Sequence, residues 1–125
     1  MTETRTALVD LADSGIVIAR VKENAEQSLV DARENLAAVV SEARGHRRPL
    51  LIDMRTARPL DADARHHYTG QALVEHFSAL ALLVEASPFG RMMGNVYLRI
   101  AKPGIPTQLF AAEADAVAWL HDHRP

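Results

Sequence analysis

Two carboxylates and two imidazoles stand close together in this chain: Asp61, Asp63, His66 and His67. These are the residue types of acid–base and metal chemistry. On a helix, Asp63 shares a face with His66 and with His67, three and four positions on. Neighbouring histidines point about 100° apart on a helix, so His66 and His67 do not converge on one ion. The H-x-x-x-H and H-E-x-x-H spacings of metal sites are absent. The group therefore reads as a solvated helix face with capping carboxylates, open to a partner. A hydrolytic role for Asp53, Asp63 and His67 is a further alternative.

Arg55, Thr56 and Arg58 form a second group, between an apolar run and a helix start. Backbone N–H groups and two guanidinium groups at such a place can hold an anion. Asp61 and Asp63 compete for the same helix start, and no glycine-rich turn opens the backbone. Asp53, at the end of the buried run, needs backbone N–H groups or a cation to offset desolvation, and Arg55 or Arg58 can supply one. A third group, Phe89, Met92, Met93 and Tyr97, makes a wide apolar helix face with Val96 and Ile100. Packing on a sheet is its plain role. Methionines also suit an adaptable dimer or ligand surface, with Arg91 and Arg99 at its rim. Asn95, inside that helix, asks for a hydrogen-bond partner.

Composition narrows the chemistry. The absence of cysteine among 125 residues excludes disulfides, thiol catalysis and thiolate metal sites, and suits a reducing cytoplasm. A net charge of −2, with no basic tail, gives no electrostatic support for a nucleic-acid partner. No run approaches the roughly 20 apolar residues that cross a bilayer, so stable membrane insertion is not expected. The start lacks the apolar core of a signal peptide. No cofactor motif is present, and no G-x-S-x-G turn supplies a nucleophile.

The elements that position these groups follow from period and punctuation. Thr6–Leu11 and Ile16–Val21 are β-rich runs joined by Ala12, Asp13, Ser14 and Gly15, which predicts a hairpin. Ser28–Arg44 has helical period, with Leu29, Ala32, Leu36, Val40 and Ala43 as its stripe and Asp31, Glu34 and Asn35 mostly off it. Ser28 and Asp31 make a capping box, and Gly45 suits the exit. Pro49–Met54 reads as the central strand, covered on both faces. A helix from Leu60 or Asp61 to about Glu75 follows, then a strand at Phe77–Val84, for which a helix is the competitor. Ser87 caps a helix that begins at Pro88. Pro106–Phe110 reads as a short edge-like strand or extended arm and Ala112–His121 as the closing helix. The order ββαβαβαβα predicts an α/β fold, one domain over residues 1–125, with helices on the faces of a mixed β-sheet.

The phrases PLLIDMR at the central strand, ALALLVEASPFGRMMGNVYLRIAKPGIPTQLF in the second half and EADAVAWL at the close carry a resemblance. The chain resembles the small STAS-like proteins related to the anti-sigma factor antagonist SpoIIAA, in the uncharacterised branch labelled STAS/SEC14-like. That resemblance implies a cytoplasmic regulatory or protein-interaction module without a cofactor. A partner protein or a second copy in a homodimer would be its contact, and an apolar small molecule or lipid the alternative. In sigma-factor antagonists a serine at the helix start after this strand is phosphorylated by a partner kinase. Here the same stretch reads Leu60, Asp61, Ala62, Asp63, Ala64, without a hydroxyl. Thr56 is the only hydroxyl in the preceding loop, and an aspartate imitates phosphate with less charge and fewer acceptors.

Overall fold

The structure, a computed structural model, describes residues 1–58, 62–67, 71–88, 90–92, 95 and 104–125. Asp61, Phe89, Met93 and Tyr97 lie outside the described residues, as does most of the stretch between 93 and 103.

Six strands form one sheet in the order β1-β2-β3-β4-β5-β6. They are β1 (Thr2–Glu3), β2 (Ala7–Leu11), β3 (Val17–Val21), β4 (Arg48–Asp53), β5 (Phe77–Leu83) and β6 (Thr107–Phe110). The first three pair antiparallel, and β3 through β6 are parallel. Among the described residues, four helices accompany them: α1 (Leu29–Ala43), α2 (Ala62–His67), α3 (Gln71–His76) and α4 (Glu113–His121). Residues 88, 90–92 and 95 are also helical.

The hairpin forms as its turn residues require, with Gly15 at φ 88° and its N–H donating to the Ala12 carbonyl at 2.9 Å. The expected central strand is central, since β4 pairs with β3 on one side and β5 on the other. The run after His76 is a strand, and Phe77 follows α3 without a connecting residue. Alternate residues of β5 enter different cores. Leu80 and Leu82 pack with Ala38, Val39 and Leu50 under α1, whereas Ala79, Ala81 and Leu83 pack with Ala116 and Leu120 of α4. Burial on both faces explains the unbroken apolar run in the sequence. Thus α1 and α3 cover one face and α4 the other, with α2 packed on α1.

The helix expected from residue 60 to about 75 is described at α2 and α3, and residues 60, 61 and 68–70 lie outside the described residues. Two expectations need correction. The predicted order lacks strand β1, because two polar residues carry no alternation. The buried stripe of α1 includes Asp31 and Asn35, expected mostly off it. Both are buried because the N-terminal segment supplies partners. Arg5 grips the Asp31 carboxylate through Nε at 2.8 Å and Nη2 at 2.5 Å, and Asn35 donates to the Thr6 hydroxyl at 2.8 Å. The capping box is present, Asp31 accepting from the Ser28 N–H at 2.9 Å.

Candidate functional site

Parallel strands β3 and β4 end side by side, and their register sets Arg20 directly opposite Asp53. Residues paired across a sheet project to the same face, and here it is the face of α4. The first turn of α4 brings in Glu113, and the turn after β4 brings in Arg55. Arg20 donates to Asp53 Oδ2 at 3.1 Å and to both Glu113 oxygens at 2.7 and 3.1 Å. Arg55 donates through Nε to Asp53 Oδ1 at 3.0 Å and through Nη2 to Oδ2 at 2.9 Å, while its backbone N–H reaches Oδ1 at 3.2 Å.

Charge follows from this geometry. Burial at the strand end pushes the Asp53 carboxyl up, but the Arg55 hydrogen bonds and the Arg20 charge outweigh it and hold Asp53 below the usual carboxylate range. Hydrogen bonding to Arg20 holds Glu113 down as well, and raises Arg20 in return. The two carboxylates are therefore ionised counter-charges, and the network closes the sheet against α4.

The loop leaving β4 is fixed from its other side by the segment before α1. The Asn24 N–H donates to the Thr56 carbonyl at 2.8 Å, and the Arg58 N–H to the Ala25 carbonyl at 3.2 Å. Arg58 also pairs with Glu26 at 2.9 Å. Asn24 accepts φ 57° to make this turn, a conformation asparagine tolerates better than most residues. Thr56 has its backbone in this ladder and its side chain exposed. Beneath the loop, on the α1 face, an apolar cleft is walled by Val21, Leu36, Ile52, Met54 and Ala57, with Arg58 at its rim. Its cavity volume of about 50 Å³ falls well below the roughly 300–1,000 Å³ of ligand pockets.

The predicted residues are thus separated. Asp53 and Arg55 meet on the α4 face, and Arg58 is turned to Glu26. Asp63, exposed, and His67, half-buried, stand with His66 on α2, which packs on α1 at the opposite face. The trio Asp53, Asp63 and His67 is not brought to one place. Met92 is exposed, while its expected neighbours Phe89, Met93 and Tyr97 lie outside the described residues. The sequence reading missed Arg20 and Glu113. Only strand register could have revealed them, because they are 93 positions apart.

A family model described as a domain of unknown function (DUF7793) matches residues 11–124. The chain belongs to the DUF7793 family. Among curated proteins, no sequence matches this DUF7793 chain. Among solved structures it is similar to an uncharacterised protein of the DUF3478 family from Shewanella loihica PV-4 with a SpoIIAA-like fold. That match has a TM-score of 0.64 at 15% identity, over 96% of this chain and 98% of the other. A protein of unknown function from Arthrobacter sp. FB24 is 29% identical over 90% of this chain and 96% of its own, with a TM-score of 0.36. The Shewanella likeness establishes the fold: this DUF7793 chain has a SpoIIAA-like architecture, as the sequence resemblance implied. No helix among the described residues is long and apolar enough to cross a membrane.

Proposed function

We propose that this chain is a regulatory protein-interaction module, in which the loop after β4 and the start of α2 meet a partner protein. One observation carries the reading. The exposed loop at the carboxyl end of the central strand is held on both flanks, by Asp53 gripping Arg55 and by the Asn24–Thr56 and Arg58–Ala25 backbone bonds. A loop ordered before contact costs less entropy to bind, so preorganisation of this kind favours recognition. Thr56 in the loop and Asp63 on α2 are exposed, and neither side chain takes part in the ladder, whereas exposed Arg55 and Arg58 are paired with Asp53 and Glu26.

The resemblance to sigma-factor antagonists supports the same reading, since in those proteins a partner kinase acts at the helix start after this strand. With Ala62 and Asp63 at the helix start, contact here does not depend on a phosphorylated serine. Thr56→Arg tests the proposal, because it adds bulk and charge at the loop without touching the hydrogen-bonded backbone. It should abolish partner retention while leaving the fold intact. Retention equal to that of the unaltered protein would refute the assignment.

A further inference from the structure

A second, larger cleft opens at the carboxyl ends of β5 and β6, with a volume of about 310 Å³. Its lining falls into two kinds. Val84, Leu109, Phe110 and Ala111 come from the sheet and the exit of β6, while Arg91 and Asn95 come from the helical residues after Pro88. The volume reaches the roughly 300 Å³ at which small-molecule pockets begin. Its position is the one at which open parallel sheets take ligands, outside the carboxyl ends of the strands.

Among the described residues, nothing pairs with the polar side of the cleft. Arg91 and Asn95 are four positions apart, so on a helix their side chains share a face. Both are exposed, and neither side chain has a hydrogen bond or ion pair among the described residues. Nor does any acidic residue appear among the described residues that line the cleft. A guanidinium with an amide one turn away offers several N–H donors, the arrangement that suits a carboxylate. Within the apolar lining, the Phe110 ring is backed by Trp119, with ring centroids 5.7 Å apart and planes tilted by 52°. That wall can take an aromatic or aliphatic body.

We propose that this cleft binds a small organic monoanion, its carboxylate held by Arg91 and Asn95 and its apolar body laid on Leu109 and Phe110. The site is independent of the partner surface proposed above, which uses the loop after β4 and α2. One cation and one amide match a single carboxylate, whereas a phosphate would ask for further donors.

The test titrates the isotope-labelled full chain with benzoate, hexanoate and the neutral benzyl alcohol, followed by amide NMR shifts. A carboxylate probe should move the amides of Val84, Arg91, Asn95 and Phe110, and benzyl alcohol should bind about tenfold more weakly for want of the charge-assisted contacts. Arg91→Gln should weaken the carboxylates by a similar factor and leave the thermal midpoint unchanged, since the residue is exposed. No shift at these amides with millimolar benzoate and hexanoate would overturn the proposal. So would shifts confined to another surface, equal binding of benzyl alcohol, or equal carboxylate binding by R91Q.

Discussion

Arg20 at the end of β3 and Glu113 in the first turn of α4 face each other through two parallel hydrogen bonds of 2.7 and 3.1 Å. The same guanidinium touches Asp53, so one side chain ties two parallel strands and a helix at a single corner. This fork fixes how α4 lies on the sheet and leaves Arg55 free to order the loop beside it.

A double-mutant cycle on Arg20→Ala and Glu113→Ala tests that corner. Both side chains are more than a third exposed, so solvent screens the pair. We expect a coupling of about 0.5–1 kcal/mol from urea unfolding, decreasing as salt is added. Strictly additive single changes at low salt would show that the fork contributes nothing to stability.

Acid should lower the stability of the fold through Asp31. The hydrogen bonds from Arg5, opposed by burial and helped by Ser28, hold this carboxyl well below the usual carboxylate range. A depressed folded-state pKa stabilises above the unfolded value of about 3.9 and loses that contribution as pH falls toward the folded one. Asp53 and Glu113 act in the same direction. Asp31→Asn should therefore lower stability at neutral pH and flatten its fall below about pH 4, as urea midpoints across pH would report. An unchanged slope would contradict the role given to Asp31.

Gly90 is required by close packing. A Cβ built there meets the carbonyl oxygen and the side chain of Glu85, and the Gly90 N–H donates to the Ser87 hydroxyl at 3.0 Å. Because the obstacle is partly backbone, Gly90→Ala should destabilise by about 1–3 kcal/mol despite alanine's better helix propensity. Calorimetry or urea unfolding measures it, and a stabilised variant would refute the contact.

Leu82 is fully buried between β4 and β6 under α1. Leu82→Ala should cost about 2–5 kcal/mol, the range for leucine removed from a packed core. A loss below about 1 kcal/mol would mean that this layer is loosely packed.

Local signals in the sequence carried much of this architecture. Ser28 and Asp31 announced the start of α1, Gly15 the hairpin, and the apolar run at Leu50 the central strand covered on both faces, whereas the run at Leu80 was separated from a helix only by the alternation of elements. Groups brought together by register were not legible. Arg20 and Asp53 are 33 positions apart and meet only because β3 and β4 are parallel in one particular alignment. Asp31 and Asn35 look like surface residues until Arg5 and Thr6 are placed beside them. The expected loop group divided for the same reason: Arg55 answers to Asp53, but Arg58 answers to Glu26, a residue before α1.

The proposed partner surface at residues 54–58 and α2 is tested most directly by quantitative affinity capture. Immobilised unaltered protein and Thr56→Arg, matched in thermal midpoint, are exposed to the same lysate, and retained proteins are quantified by mass spectrometry. The account predicts a specific protein held by the unaltered chain and lost from the variant. Identical retention by both, or no specific retention by either, would contradict it.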